Sequence, residues 1–137
     1  MIAAMRLLVA LPVVACLLLG CKTEPVRPIS GAETFATHCA SCHGPRAEGD
    51  GPVAATMNVT VPNLRNLSQR NHGVFPTDAV ASYIDGRSLP TAHGTRSMPV
   101  WGGVFDTTGR LIEGAGTAKQ RIDDVIAYLR GLQVTAN

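Results

Sequence analysis

The residues most able to do chemistry lie together in the segment Cys39-Ala40-Ser41-Cys42-His43. On a helix, positions 39, 42 and 43 are spaced i, i+3 and i+4, so both thiols and the imidazole share one face. Two thiols at this spacing can add to the vinyl groups on neighbouring corners of one porphyrin, while the imidazole that follows binds the iron axially. The segment therefore predicts one covalently attached haem c, with thioethers at Cys39 and Cys42 and with His43 as the proximal iron ligand.

Three other chemistries use the same residue types. A thioredoxin-like dithiol is expected to follow a strand in a βαβ unit, and no such pattern precedes Cys39. A zinc site that used His38 or His43 would require two further ligands at short spacing, whereas His72 and His93 are isolated. A plain disulfide would suit an oxidising compartment but leaves His43 without a role. Haem attachment is favoured, and these alternatives stay open at this point.

The opposite face of the iron needs its own ligand, and the candidates are Met57, His72, His93 and Met98. Met98 differs from a packing methionine because it lies in a segment rich in glycine and proline, directly before Pro99, and not on an apolar helical face. We therefore expect Met98 to be the distal ligand, with a vacant or water-bound site as the alternative. A soft thioether favours ferrous iron, so a His/Met pair raises the reduction potential relative to His/His.

Two capping boxes predict the first and the last helix of the folded part. Ser30 with Glu33 opens a helix that runs from about residue 31 to about residue 41. Thr117 with Gln120 opens the last helix, whose apolar stripe consists of Ile122, Val125, Ile126 and Leu129. Because its other face is charged, the last helix should bury this stripe in the core.

Between these helices the pattern is mostly that of loops. Residues 44–76 are dense in Gly, Pro and Asn, and they predict a structured loop with one helical turn near residues 53–57. Thr77 can cap a second helix over residues 78–85. Residues 87–116 predict another loop. With no internal repeat and no alternating β-pattern, the chain is expected to be all-α with long loops.

The composition indicates one small domain that is poor in core residues. The chain has 137 residues, of which 45% are hydrophobic and only 4% aromatic. Because 17 of the first 20 residues are apolar, only roughly 38% of the remaining residues are apolar. A bound cofactor would help to fill such an interior. The net charge of +2 argues against a nucleic-acid binder, which needs a clear excess of lysine and arginine.

The first 20 residues have the pattern of an export signal. Arg6 precedes the apolar run Leu7–Leu19, which is too short to cross a bilayer comfortably. The segment Leu18-Leu19-Gly20-Cys21 resembles the lipobox of bacterial lipoproteins, in which the cysteine is acylated and becomes the first residue after cleavage. An ordinary cleavage site near Gly20, or an uncleaved anchor, would also place the rest of the chain outside the plasma membrane.

The expected organisation is a signal peptide over residues 1–20, an acylated N-terminus with a proline-containing tether over residues 21–30, and one domain over residues 31–137. The lipoprotein resemblance implies a periplasmic protein that is anchored to a membrane through Cys21. Lys22, next to that cysteine, favours the outer membrane in a Gram-negative host.

The motifs of the domain resemble those of the class I c-type cytochromes. They are Gly31-x-x-x-Phe35-x-x-x-Cys39-x-x-Cys42-His43-Gly44, the Met98-Pro99 pair and the terminal Ala127-Tyr128-Leu129. A narrower resemblance, to bacterial mono-haem cytochromes with an MPVWG loop, rests on Gly49-Asp50-Gly51-Pro52, Val61-Pro62-Asn63-Leu64 and Met98-Pro99-Val100-Trp101-Gly102. The match runs from about residue 31 to residue 132. The polar segment 106–116 is longer than in the most compact members.

The resemblance implies the small class I cytochrome c fold, with about three to five helices and long loops wrapped around one haem. Gly31 and Phe35 in the first helix would pack against Tyr128 and Leu129 in the last. Pro62 would shape the wall on the His43 side and lie where the imidazole hydrogen bond is received. Trp101 would form part of the haem environment.

The function that the resemblance implies is transfer of single electrons between redox protein partners, with no small-molecule substrate and no enzymatic activity of its own. The same domain could serve as the electron-transfer subunit of a larger oxidoreductase. A different class, a haem gas sensor or peroxidase, would need a labile sixth ligand. His93, close to Met98 in the sequence, is the residue that keeps this alternative open.

Overall fold

The computed structural model describes residues 25–87 and 97–134, and within them it contains six α-helices and no strand. The helices are α1 Gly31–His38, α2 Ala40–His43, α3 Leu67–Arg70, α4 Thr77–Asp85, α5 Trp101–Leu111 and α6 Ala118–Gly131. Two short 3₁₀ turns lie at Ala54–Thr56 and Leu64–Asn66. The all-α class is confirmed. The helices outnumber the expected three to five because α2 and α3 are single turns.

The first and last helices cross at close range. Both predicted capping boxes are present, at Ser30 before α1 and at Thr117 before α6. A side chain at Gly31 would collide with the backbone carbonyl of Asp124, so only glycine permits this approach. Beside the crossing, the ring centroids of Phe35 and Tyr128 are 5.3 Å apart. The expected packing of α1 against α6 is therefore confirmed.

The core lies between α6 and the three helices that contact it, α1, α4 and α5. All four members of the predicted stripe on α6 are at most 5% exposed. They meet buried residues from the other helices: Phe35, Cys39, Ile84 and Phe105. Since Cys39 belongs to this cluster, the segment predicted to attach haem is anchored directly in the core.

Helix α5 occupies a region in which the sequence predicts a loop, and that prediction is wrong. Glycines and threonines have low helix propensity, so the local pattern does not favour a helix there. The Thr107 and Thr108 hydroxyls donate to the carbonyls of Gly103 and Val104, one turn earlier. Phe105 is fully buried. Tertiary packing of this side chain overrides the weak local propensity.

Smaller differences concern helix ends. The first helix ends at His38, and α2 follows after Cys39 and extends to His43, two residues beyond the predicted end. Thr77 is the first residue of α4 rather than its cap, and its hydroxyl accepts a hydrogen bond from Arg130. The predicted turn near residues 53–57 is present as the first 3₁₀ turn, whereas α3 was not expected.

The signal peptide, Cys21 and the first residues of the tether lie outside the described residues, as does His93. The described end of the tether contacts the domain: Arg27 pairs with Glu33, and Val26 packs against Gly114. Among the described helices, none is sufficiently long and apolar to span a bilayer.

Candidate functional site

The segment from Cys39 to His43 forms one continuous helical turn after α1. The Cys39 N–H donates to the carbonyl of Phe35 at 2.9 Å, and the Cys39 carbonyl accepts from the N–H of His43 at 2.9 Å. Both cysteines are free thiols, with Cys39 buried and Cys42 partly exposed. Burial raises the pKa of Cys39 to about 11, and the neighbouring Cys42 adds to the effect. Two thiols and one imidazole are thus spaced as thioether attachment requires.

The imidazole of His43 is fixed by one backbone group. Its Nδ1 lies 3.3 Å from the carbonyl oxygen of Pro62. Because a carbonyl can only accept, Nδ1 carries the proton and Nε2 keeps a free lone pair. Burial lowers the pKa of His43, against the opposing effect of the Pro62 hydrogen bond, and so favours the neutral form. A neutral, oriented imidazole with a free Nε2 is what an iron ligand must be.

The loop after α2 folds back and caps the end of this helix. The last carbonyls of a helix have no intrahelical partner. Here the carbonyls of Ser41, Cys42 and His43 accept from three alternate loop N–H groups, at 3.0, 3.1 and 2.8 Å. The donors are the backbone groups of Val53, Gly51 and Gly49. The loop therefore holds the attachment segment through backbone hydrogen bonds.

Glycine at position 49 lets the same loop deliver the Pro62 carbonyl. Gly49 has a positive φ of 85°, and a side chain there would meet the backbone of Val61 and Pro62. A further bond, from the N–H of Leu64 to the carbonyl of Ala47 at 2.8 Å, ties the two parts of the loop together. The motif around Gly49 thus has a direct structural role in orienting His43.

The candidate distal ligands are placed differently from one another. Met98 is partly buried and packs against the core cluster that contains Cys39. Met57 follows the first 3₁₀ turn and lines an open surface concavity formed by its own loop. His72 is exposed, with a positive φ of 54°. Of the two candidate methionines, both described, Met98 is the one that packs against the core cluster containing Cys39.

The comparison with protein families agrees with this geometry. The model of the family described as cytochrome c matches residues 29–133. The chain belongs to the cytochrome c family. Members of this family bind haem c covalently and generally act as electron carriers. No curated protein and no solved structure matches the chain. Within the described residues, no cluster of three or more His, Cys, Asp or Glu side chains could hold a metal ion.

In this cytochrome, Trp101 belongs to an aromatic cluster at the start of α5. Its ring centroid lies 5.9 Å from that of Phe105, in a stacked arrangement, and 5.2 Å from that of His38. Sequence reasoning did not single out His38 for this role. Burial, together with the nearby Arg121, lowers the pKa of His38.

Arg121 is the second residue that sequence reasoning missed. It lies on α6, and its guanidinium carbon is 4.5 Å from the centre of the Phe105 ring. The signal was present in the helical spacing, because Arg121 precedes Val125 by four residues and therefore lies on the buried face. A charged residue within an apolar stripe is the feature that could have identified it.

Proposed function

We propose that this protein is a mono-haem c-type cytochrome that transfers single electrons between redox protein partners. Cys39 and Cys42 hold the haem as thioethers, His43 binds the iron on the proximal side, and Met98 binds it on the distal side. The observation that carries the proposal is the hydrogen bond from His43 Nδ1 to the Pro62 carbonyl, which leaves Nε2 free. The haem supplies a one-electron iron couple, and the chain transforms no substrate.

The residues of the chain orient the haem and exclude water from it. The backbone bonds to the carbonyls of α2 keep the attachment segment rigid, so the ligand geometry changes little between oxidation states. His43 stays neutral because it is buried. Trp101 belongs to the haem environment, and its ring is held by Phe105 and His38. An apolar and rigid shell is what an electron carrier requires of its protein.

Met98 is proposed as the distal ligand because of its position as well as its chemistry. It lies at the edge of the core cluster, directly before Pro99 and α5. Its thioether favours ferrous iron, so the protein would work at the oxidising end of an electron-transfer chain.

The proposed location is the periplasmic face of a bacterial membrane, with Cys21 acylated. The support is the export pattern of the first 20 residues and the lipobox-like segment that ends at Cys21. Changing Cys21 to serine should release the domain into the soluble periplasmic fraction. Retention of the C21S protein in the membrane would argue for an uncleaved anchor or for a partner complex, the arrangement expected of an oxidoreductase subunit.

The optical spectrum of the purified protein tests the haem and its ligands together. Wild type should show covalently bound haem and, in the ferric form, the charge-transfer band of methionine bound to iron. In Met98→Ala this band should disappear and the reduction potential should fall, because the soft ligand is lost. The matched control Met57→Ala, which removes the other described candidate methionine, should keep both properties.

Two outcomes would contradict the ligand assignment. A band that survives M98A but disappears in M57A would place the distal ligand in the loop after the first 3₁₀ turn. A band that neither substitution changes would mean that methionine is not the ligand, and would favour a sensor with a labile sixth site. Cys39→Ala and Cys42→Ala should each prevent the double thioether linkage, and stable double linkage in either variant would overturn the attachment itself.

A further inference from the structure

Arg121 is a buried charge with few partners. It is only 2% exposed, and one of its terminal nitrogens donates to the hydroxyl of Thr34 at 3.3 Å. Its Nε and Nη1 are buried and have no hydrogen-bond partner within residues 25–87 and 97–134. None of the ion pairs formed by these residues includes Arg121. Among the described residues, the guanidinium thus lies in the core without a neighbouring carboxylate that would neutralise it.

Such an arrangement is costly for stability. A buried charge that lacks a counter-ion loses its hydration without full compensation. The side chain cannot escape by losing its proton, because burial lowers the pKa of Arg121 only from a very high ordinary value. An apolar residue would suit the position, since Ile122 and Val125 on the same face are buried and apolar. The charge therefore calls for an explanation other than stability.

Arg121 contacts the helix that leads into the attachment cysteines. Thr34, its hydrogen-bond partner, lies on α1. His38, the residue before Cys39, has its pKa lowered by burial and by the charge of Arg121. The geometry makes the same link, because the guanidinium lies 4.5 Å from the centre of the Phe105 ring and that ring lies 5.4 Å from the ring of His38. The positive charge therefore lies close to the end of α1, next to the segment where the haem would be attached.

We propose that Arg121 raises the reduction potential of the bound haem through its electric field. Reduction by one electron removes one positive charge from the iron and its porphyrin, so a fixed positive charge nearby favours the ferrous state. Because the guanidinium is buried, dissolved ions screen this effect only weakly. This inference rests on the proposed function, since it concerns the haem that Cys39 and Cys42 would hold.

The test is a potentiometric titration of the haem-loaded protein and of two variants that remove the charge, Arg121→Gln and Arg121→Met. Removing the charge should lower the equilibrium constant for reduction roughly tenfold, which corresponds to about 59 mV for a one-electron couple. The shift should persist at high salt. Met is included because it suits the apolar stripe, so this variant should fold even if the glutamine variant does not.

Two controls separate charge from structure. Arg130→Gln removes an exposed arginine on the same helix, and any shift that it causes should be smaller and should vanish at high salt. Arg121→Lys keeps the charge, so its potential should stay closer to wild type than that of R121Q. In R121Q the pKa of His38, followed by NMR, should rise, because one of the two causes that lower it is removed.

Equal potentials in wild type, R121Q and R121M, with unchanged haem spectra, would overturn the inference. A loss in R121K as large as that in R121Q would also overturn it, because the shift would then follow shape and not charge. Failure of the wild-type chain to bind haem covalently would contradict the proposed function instead. The two failures are therefore distinguishable in the same set of samples.

Discussion

Two segments carry the proposed iron ligands, and they are held in place by different forces. The proximal segment, residues 39–64, is fixed by backbone hydrogen bonds between the loop and the carbonyls of α2. The distal segment, residues 97–111, consists of the short stretch that contains Met98 and of helix α5. It is held mainly by side-chain packing on α6. Backbone bonds fix a precise geometry, whereas packing fixes a position only as well as the side chains fill the space.

The difference fits the demands on the two proposed ligands. His43 must keep one tautomer and one orientation, and a network of backbone groups provides both. A methionine has three rotatable bonds and adapts to an irregular gap, so its segment tolerates a looser support. We therefore expect the stability of the proximal segment to be sensitive to replacement of a glycine by a residue with a side chain. The stability of the distal segment should be sensitive to loss of buried side-chain volume.

The largest effect should come from the core side chain that anchors the distal helix. Changing Phe105 to alanine removes a fully buried ring that stacks with Trp101 and lies under Arg121. We expect a loss of about 4 kcal/mol in the free energy of unfolding, measured by denaturant titration of the haem-loaded protein. Amide exchange should accelerate most in α5, because this helix depends on packing.

The control is Val104→Ala on the same helix, where the side chain is 41% exposed. It should cost less than about 0.5 kcal/mol, as is usual for surface changes. Equal costs in the two variants, or faster exchange in α2 than in α5, would contradict the view that packing is the main support of the distal segment.

The contrast between the segments also explains what the sequence could predict. The helices α1 and α6 were predictable because a capping box and an apolar stripe are local signals, read within one or two turns. The proposed attachment motif from Cys39 to His43 could be recognised in the sequence because all its chemistry lies in five consecutive residues. In each case the pattern and its structural cause are close together in the chain.

The remaining features depend on contacts that are distant in the chain. Helix α5 forms because Phe105 is buried against α6, and no local pattern of glycine and threonine indicates this. The buried position of Arg121 depends on Thr34, 87 residues earlier. The sequence shows that Arg121 lies on the apolar face of α6, but it does not show which side chains surround the guanidinium. Tertiary contacts of this kind override propensity and cannot be read from one segment.

Replacing a glycine by alanine should have opposite effects on stability in the two segments. Gly51→Ala in the proximal segment would place a methyl group against the carbonyls of Ser41 and Cys42, both of which are backbone and cannot move independently. We expect it to cost about 2–3 kcal/mol of unfolding free energy. Gly103→Ala in α5 adds a methyl group with nothing within 4 Å, and it should stabilise by about 0.5–1 kcal/mol because alanine favours the helix.

Chemical denaturation and the His43 ring signals, followed by NMR, would check this pair. Only the proximal variant should disturb the His43 signals, since Gly51 bonds to the residue next to it. If both alanine variants were destabilised to a similar extent, the two segments would not differ in the way described.

The smallest effect concerns the ion pairs that join α4 to α5 at the surface. Arg87 bonds to Asp85 at the end of α4 and to Asp106 on α5. Arg87 lowers the pKa of Asp85 below its ordinary value, mainly through the hydrogen bond. A carboxyl with a lowered pKa stabilises the fold when it is ionised. The contribution is therefore complete above the unfolded pKa of about 4 and is lost as the pH falls through the folded value.

Asp85→Asn should accordingly reduce the free energy of unfolding at neutral pH, by at most about 1 kcal/mol because the pair is partly exposed to solvent. The difference from wild type should shrink as the pH falls below about 4, where Asp85 of the wild type becomes protonated as well. Denaturant titrations between neutral and acidic pH measure this, with Asp124→Asn on the exposed face of α6 as the matched control. A D85N deficit that persisted unchanged at the lowest pH would mean that the carboxylate charge is not what ties α4 to the distal segment. Side-chain packing alone would then support that segment, and Phe105→Ala measures this packing contribution directly.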